Sequence, residues 1–279
     1  MITRFAPSPT GYLHLGHVLN AIAVWGLAAA RGGTVLVRIE DHDRQRCRPE
    51  YERSILDDLD WLGFRAAEVS RQRDREAVYR AAIARLRAQG LVYGCTCSRA
   101  HLERPPGSTE SRYPGRCRDR GVPLDDGVGW RLRIDPGEER FDDLWQGPQA
   151  QDPAVQCGDL LLRDRLGNWT YQLAVAADDT AQGVTDVIRG LDLLASTGRQ
   201  IRLARLLGRD APPRFAHHAL VMKSPTEKLS KSDGDTGVRD LARAGWTPER
   251  VIGAAAWRGG LVPEPSPLAA ADVGSLFLS

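Results

Sequence analysis

Two histidines lie at the beginning of a predicted helix, with a glycine between them. Residues 6–17 read APSPTGYLHLGH, so His14 and His17 flank Gly16. A helix N-terminus binds anions because its unpaired N–H groups and its dipole both point toward the ligand. Imidazoles there can donate further hydrogen bonds to a phosphate, and Gly16 would allow a flat adenine ring to approach the backbone. The pattern indicates a nucleotide site, although a helix cap with two surface histidines is the alternative for so short a motif.

All the lysines of the chain lie in one short segment far from the histidines. Lys223, Lys228 and Lys231 are the only lysines among 38 basic residues, and the rest are arginines. An arginine is not equivalent to a compact, mobile ammonium group. Two ammonium groups in the sequence KLSKS, residues 228–232, suit a triphosphate whose charge moves toward the leaving pyrophosphate, where one well-placed donor is worth about 3–4 kcal/mol. A solvated loop is the alternative for this segment alone, but together with the histidines it favours ATP binding.

Three cysteines could hold a metal ion. Cys95, Cys97 and Cys117 supply three thiolates, one ligand short of a structural zinc tetrahedron. His101 and Tyr113 are the nearest candidates for the fourth ligand, and spacing alone favours His101 because imidazole is the commoner zinc ligand. Reduced, metal-free thiols are the alternative.

Composition limits the classes of function. A net charge of +2 excludes a uniformly basic nucleic-acid coat but allows a local basic face. The odd number of cysteines, five, argues against a disulfide framework, and Cys47 and Cys157 lack partners. The chain begins without the apolar stretch of a signal peptide and contains no run that would span a bilayer. We therefore expect a cytoplasmic protein.

The elements that must position these residues form a strand–helix–strand unit. Apolar patterning predicts a strand at 4–6, a helix from 15 to 27 that ends near Gly32 and Gly33, and a buried strand at 34–39. A unit of this length predicts a parallel sheet. Further helices are predicted at 54–62, 75–89, 197–207 and 247–256, and further strands at 131–134, 158–163, 169–174, 184–188 and 216–222.

The two cationic motifs together resemble the HIGH and KMSKS signatures of class I aminoacyl-tRNA synthetases. The resemblance implies a Rossmann-type fold that binds ATP with Mg²⁺ and joins an amino acid to AMP. It makes His14, His17 and Lys231 catalytic residues. It assigns ATP binding to His14, Gly16, His17, Lys228 and Lys231. The loop departs from KMSKS only in Leu229, a residue of similar volume to methionine.

The segments around these motifs resemble the glutamate-specific branch of that family. They are RFAPSPTG at 4–11, VRIEDHD at 37–43 and QGVTDVIRG at 182–190. An amino acid with two carboxylates needs cations, and Arg4 and Arg189 can each make bidentate contacts. Glu40, at the end of a strand, can bind the ammonium group. The resemblance gives the whole pocket as Arg4, Ala6, Ser8, Glu40, Tyr171 and Arg189, whereas each residue taken singly could be a surface charge, a cap or a core side chain.

The same branch contains a C-x-C…Y-x3-C zinc site in an insertion. That resemblance favours Tyr113 over His101 and gives one structural Zn²⁺ bound by Cys95, Cys97, Tyr113 and Cys117. The insertion could contact tRNA.

The predicted fold class is α/β: a Rossmann-type class I synthetase catalytic domain with a zinc-containing insertion and a small C-terminal helical region. We predict the first half of the catalytic domain at 1–92, the insertion at 93–157 and the second half of the catalytic domain at 158–210. The KMSKS loop with a helical subdomain follows at 211–260, and a loosely attached tail at 261–279. Only residues 233–279 follow the KLSKS motif, so we expect no anticodon-binding domain.

This length resembles a paralogue of glutamyl-tRNA synthetase that consists of the catalytic body. The resemblance implies activation of glutamate without tRNA, then transfer to the queuosine at the wobble position of tRNA(Asp), by a monomer without a membrane partner. A truncated synthetase that charges the 3′ end of tRNA(Glu) is the alternative. A non-catalytic binding module would be expected to lose His14, His17 or Lys231, and a nucleotidyltransferase for a small metabolite would not need the paired arginines with Glu40.

Overall fold

The computed structural model describes residues 1–43, 45–104, 110–224, 227–228 and 237–278, with only the backbone at 222–224 and 227–228. No helix in these ranges is both long and apolar enough to cross a membrane. The strands are β1 (Ile2–Phe5), β2 (Thr34–Ile39), β3 (Glu68–Arg71), β4 (Val92–Cys95), β5 (Gly129–Leu132), β6 (Glu139–Asp143), β7 (Gly147–Gln151), β8 (Leu160–Arg163), β9 (Asp186–Gly190), β10 (Arg214–His218), β11 (Met222–Ser224) and β12 (Glu227–Lys228).

The α-helices are α1 (Leu15–Ala30), α2 (Pro49–Leu62), α3 (Glu76–Ala88), α4 (Pro153–Gln156), α5 (Tyr171–Ala181), α6 (Thr197–Leu206), α7 (Val238–Arg243) and α8 (Pro248–Arg258). Short 3₁₀ helices lie at Gln72–Asp74, Arg99–His101, Leu191–Ser196 and Ala270–Phe277.

The first strand–helix–strand unit is confirmed. β1 and β2 pair in parallel from Ile2 opposite Thr34 to Phe5 opposite Val37, and β3 extends the sheet beside β2. Helix α1 ends where Gly32 adopts φ +58°, a conformation that glycine enters without steric cost. The apolar faces of these elements share one core with α2 and α8.

The second half of the catalytic sheet has the order β7-β6-β10-β9, with β9, β10 and β6 parallel. It adjoins the first half at Thr185, whose backbone N–H donates to Ile2 O at 2.8 Å. Strands β6 and β7 lie inside the predicted insertion, yet they belong to this sheet. The antiparallel sheet β4-β5-β8 forms a separate layer, whose core is shared with α3, α5 and α6.

Three sequence predictions differ from the structure. The strand predicted at 169–174 is the beginning of helix α5, because a short apolar run is compatible with either a buried strand or a buried helix. The tail is not loosely attached: Val273 is buried, and the ring of Phe277 fills the space that a side chain at Gly26 would need. The strand predicted at 216–222 is two strands, β10 and the beginning of β11.

Candidate active site

A cleft of about 510 Å³ opens at the carboxyl ends of β1, β2 and β9. Ligands of open α/β sheets bind at this edge. Every predicted nucleotide or glutamate residue that is described in both backbone and side chain lines the cleft: Arg4, Ala6, Ser8, His14, Gly16, His17, Glu40, Tyr171 and Arg189. The side chain of Lys228 and the whole of Lys231 lie outside the described residues, so their position stays a prediction.

The two histidines cap helix α1 reciprocally. His14 is the N-cap residue, and its Nδ1 accepts from Gly16 N–H at 3.1 Å. The Nδ1 of His17 accepts from His14 N–H, also at 3.1 Å. Because both Nδ1 atoms accept, the proton of each neutral ring is on Nε2, a donor suited to phosphate oxygens. A side chain at Gly16 would meet the His14 ring at 2.9 Å, so the glycine also makes room for the imidazole.

The chain that follows the KLSKS segment is bound to the histidine motif. Val238, the first residue of α7, donates its N–H to Leu13 O at 2.8 Å and is fully buried. Gly237 forms an antiparallel bridge with His14. The guanidinium of Arg239 lies over the Tyr12 ring, 5.5 Å from its centroid. The segment 237–239, which follows the KLSKS motif in the sequence, is therefore bound to the histidine motif.

A buried carboxylate holds two arginines at the other end of the cleft. Asp179 on α5 accepts from Arg4 Nε at 3.0 Å and from an Arg38 terminal nitrogen at 2.8 Å. Burial raises the pKa of Asp179, but the two guanidinium groups outweigh it and lower the pKa to about 2. Within the described part of the chain, Arg4 is held through Nε, so its terminal nitrogens can bind a carboxylate in the cleft.

Glu40 lies next to this pair at the end of β2. It is 5% exposed, and its Oε1 is 3.4 Å from the second terminal nitrogen of Arg38. Burial raises the pKa of Glu40, and the charges of Arg38, His42 and Arg4 act in the opposite direction. A carboxylate so desolvated gains from an ammonium ion in the cleft. Arg4 and Glu40 together can thus bind an amino acid by its opposite charges.

Arg189 on β9 is held by neutral partners instead. Its Nε donates to His217 Nε2 at 2.9 Å, and its terminal nitrogens donate to Gln200 Oε1 at 2.7 Å and to Thr197 Oγ1 at 2.9 Å. Burial lowers the pKa of Arg189, and Tyr171 opposes that shift. Its guanidinium is therefore fixed in orientation at the cleft wall.

Sequence reasoning missed the residues behind the pocket, namely Arg38, Asp143, Asp179 and His217. A signal existed for Arg38, an arginine inside the apolar strand TVLVRI. A signal also existed for Asp179, because two acidic residues follow the apolar run LAVAA. The wrong strand prediction hid the second signal, since helix α5 is what directs Asp179 inward.

The cysteines form a compact cluster with Tyr113. The sulfur atoms of Cys95, Cys97 and Cys117 all lie within 4.8 Å of one another. The Tyr113 hydroxyl is 3.3 Å from Cys95 Sγ and 3.8 Å from Cys97 Sγ, and it accepts from Cys117 N–H at 2.9 Å. No pair forms a disulfide. His101 is exposed and its Nδ1 contacts Ser98 instead.

This donor set fits a tetrahedral metal ion. Three sulfur atoms and one oxygen converge, and burial of the Cys117 thiol is outweighed by hydrogen bonds from Thr96 N–H, Tyr113 and Cys97, which lower its pKa to about 6. Arg131 lies 3.7 Å above the centroid of the Tyr113 ring and its Nε is 3.3 Å from Cys95 Sγ. Cys117 therefore favours the thiolate, the form that binds metal, whereas burial raises the pKa of the Cys97 thiol.

The model of the family described as tRNA synthetases class I (E and Q), catalytic domain, matches residues 1–264. Glutamyl-Q tRNA(Asp) synthetase of Geobacter sulfurreducens is 44% identical over 254 residues, which are 88% of this chain and 81% of that protein. Glutamyl-Q tRNA(Asp) synthetase of Rhodobacter capsulatus is 41% identical over 278 residues, 91% of this chain and 100% of that protein.

The chain belongs to the class I tRNA synthetases (E and Q), in the glutamyl-Q tRNA(Asp) synthetase group. As a class I tRNA synthetase it is a ligase with a Rossmann-like α/β catalytic domain. A solved structure of the glutamate tRNA ligase of Elizabethkingia meningosepticum, in complex with its amino acid, covers 98% of the chain with a TM-score of 0.80 at 26% identity. The chain spans 64% of the length of that ligase.

Proposed function

We propose that this class I synthetase activates glutamate with ATP in the absence of tRNA and then transfers the glutamyl group to the queuosine of tRNA(Asp). The observation that carries the proposal is one cleft with a phosphate-binding helix end and a pocket of opposite charges. The names of the similar proteins support the acceptor, since glutamyl-Q tRNA(Asp) synthetases match most of the chain.

In the activation step a glutamate carboxylate oxygen attacks the α-phosphorus of ATP. The new O–P bond gives glutamyl-adenylate, and the bond to the leaving pyrophosphate breaks. His14 and His17 donate from Nε2 to the phosphate oxygens, and the absence of a side chain at Gly16 admits the nucleotide. Lys228 and Lys231 neutralise the pyrophosphate, as the family resemblance implies. Mg²⁺ bound with ATP would supply further charge neutralisation.

The substrate is selected by charge at the other end. The terminal nitrogens of Arg4 and the guanidinium of Arg189 bind the two carboxylates of glutamate. Glu40 binds its ammonium group. Tyr171, Ala6 and Ser8 complete the wall. Because an uncharged side-chain amide would leave a buried cation unpaired, the pocket favours glutamate over glutamine.

The cysteine cluster serves the second step, the transfer to tRNA. We propose that Cys95, Cys97, Tyr113 and Cys117 hold one structural Zn²⁺ and that the surrounding insertion faces the tRNA. Exposed arginines without an ion pair among the described residues lie around this cluster: Arg99, Arg104, Arg116 and Arg120. Arginines of this kind bind phosphates and make affinity depend on salt.

The experiment that tests the proposal is ATP–pyrophosphate exchange with purified protein, glutamate and Mg²⁺, first without tRNA. Exchange that is lost in Lys231→Ala, followed by transfer of labelled glutamate to queuosine-containing tRNA(Asp), supports both steps. Exchange that requires tRNA(Glu), with label at its 3′ end, would support the truncated synthetase instead. No exchange with any amino acid contradicts the activation step.

A further inference from the structure

A chain of hydrogen bonds runs from the cleft into the sheet behind Arg189. His217 on β10 accepts from Arg189 Nε through its Nε2 at 2.9 Å. Its other ring nitrogen, Nδ1, is 2.5 Å from Oδ2 of Asp143, the last residue of β6. His217 and Asp143 are both buried, and neither lines the cleft.

The tautomer of His217 decides whether this chain of bonds can exist. The guanidinium Nε–H can only donate, so His217 Nε2 must carry a lone pair and the proton must be on Nδ1. The carboxylate of Asp143 accepts the hydrogen bond that this Nδ1–H donates. Burial and the charge of Arg189 lower the pKa of His217 to about 4, which keeps the ring neutral at neutral pH.

The backbone fixes the orientation of the Asp143 carboxylate. Its Oδ1 accepts from three backbone N–H groups, those of Trp145 at 3.0 Å, Gln146 at 3.0 Å and His217 at 3.2 Å. Oδ2 is therefore the atom that faces His217 Nδ1. This site is built to hold one tautomer, in the manner that second-layer partners orient ligating histidines elsewhere.

We propose that Asp143 and His217 are positioning residues for glutamate: they fix Arg189 in the orientation that binds the substrate. The inference rests on the proposed activation of glutamate, whose pocket includes Arg189. Neither residue touches the substrate, so their effect is on the affinity for glutamate and not on that for ATP.

Asp143→Asn is the sharpest test, because the fold dictates how the new amide must sit. Its oxygen has to keep the place of Oδ1, facing the three N–H groups, so its NH₂ faces His217 Nδ1. The proton of His217 then moves to Nε2 and opposes the Arg189 Nε–H, donor against donor, at 2.9 Å. Arg189 then loses its Nε contact with His217 and must shift from its native orientation, although Gln200 and Thr197 still accept from its terminal nitrogens.

In glutamate-dependent exchange we expect D143N to raise the KM for glutamate about 10- to 100-fold, the size of effect that a misplacement near 1 Å produces. The KM for ATP should change less than about twofold, since the histidine end of the cleft is untouched. Asp142→Asn, on the exposed face of the same strand, is the matched control and should behave like the native enzyme. An unchanged KM for glutamate in D143N overturns the inference, as does an equal rise in both KM values.

Long-range ¹H–¹⁵N NMR of the histidine rings gives a second readout that does not depend on catalysis. The native protein at neutral pH should show His217 protonated on Nδ1 only, and D143N should show it protonated on Nε2. A native Nε2–H tautomer or an imidazolium contradicts the inference even if D143N fails to fold. Native enzyme without glutamate-dependent exchange contradicts the proposed function, and the tautomer then decides the positioning role separately.

Discussion

The glutamate pocket and the cysteine cluster are both buried polar sites, but they are held in place differently. In the pocket each charged group has a protein partner of opposite charge or a neutral acceptor, as Arg4 has in Asp179 and Arg189 has in His217. The cysteine cluster has almost no apolar core of its own beyond the ring of Tyr113 and a few partly buried neighbours. The pocket is thus ordered by contacts within the chain, whereas the proposed metal ion would add a shared ligand to the cluster.

This difference makes the two steps of the proposed reaction separable. Activation depends on side chains fixed to the parallel sheet, which persist without metal. In the proposed second step, transfer would depend on the segment around Cys95, Cys97, Tyr113 and Cys117, whose local order would couple to the proposed metal ion because binding energy is folding energy in small sites. Changes in the pocket should therefore affect both steps, and changes in the cluster only the second.

The largest expected effect comes from Asp179→Ala. Removing the carboxylate leaves Arg38 buried with one fewer partner, and the loss of one member of such a pair costs about 3–5 kcal/mol. Urea unfolding should show this loss, and glutamate-dependent exchange should disappear because Arg4 is no longer held. The exposed Asp57→Ala is the control, with a change within about 0.5 kcal/mol. A D179A protein of native stability would mean that the arginines are held by other contacts.

Acid should remove the same stabilisation without a mutation. The folded-state pKa of Asp179 is about 2, below its usual 3.8, so its ion pairs stabilise the fold above about pH 4 and lose that effect as the pH falls toward 2. The shift corresponds to about 2–3 kcal/mol. The difference in unfolding free energy between native protein and D179A, measured from neutral pH down toward pH 2, should shrink over that window. A difference in unfolding free energy that does not change with pH would mean that packing, and not the ion pairs of Asp179, provides the stabilisation.

Cys117→Ser should affect transfer to tRNA far more than activation of glutamate. Replacing one thiolate weakens metal binding, so bound zinc measured by atomic absorption should fall from one equivalent toward none. Transfer to tRNA should fall at least about tenfold, while tRNA-independent exchange stays within about threefold. His101→Ala is the control, since His101 is exposed and directed at Ser98. Loss of zinc in H101A would make the histidine the fourth ligand in place of Tyr113.

The smallest effect is expected at the surface of the insertion. Replacing Arg116 and Arg120 with glutamine should weaken tRNA binding and reduce its dependence on salt, with the slope falling by about 1 for each phosphate that is no longer bound. Filter binding between about 50 and 200 mM salt measures that slope. Exchange without tRNA should not change, and an unchanged slope would place the RNA on another face.

Sequence predicted the parts of the site that lie in continuous motifs. His14, His17, Arg4, Glu40 and Arg189 were proposed because their segments carry a recognisable order or a charge at the end of an apolar strand, and all five line the cleft. The supporting residues could not be found in that way, since Asp179 and His217 act through partners distant along the chain. Register between β9 and β10 brings His217 beside Arg189, and no local pattern encodes a register between strands.

The sequence predicted the fold where the apolar periodicity extends over many residues. The prediction failed where the periodic segment is short. Helix α1 and strand β2 have enough apolar positions to identify them, whereas β6 and β7 were missed, being short and rich in polar residues. The prediction for the tail failed for a different reason. Its composition is that of a linker, and only the tertiary structure provides the surface of α1 on which Val273 and Phe277 pack.

That packing holds the C-terminal half of α1 in place. The helix has 16 residues, a length of about 24 Å, with His14 and His17 at one end and the contacts of Phe277 with Gly26 and of Gly274 with Ala29 near the other. A tilt of the helix by about 5° about these contacts would displace its N-terminus by about 2 Å. A misplacement of about 1 Å is already enough to slow a reaction substantially. Adding a side chain at Gly26 or Gly274 is therefore expected to shift His14 and His17 without changing any residue that lines the cleft.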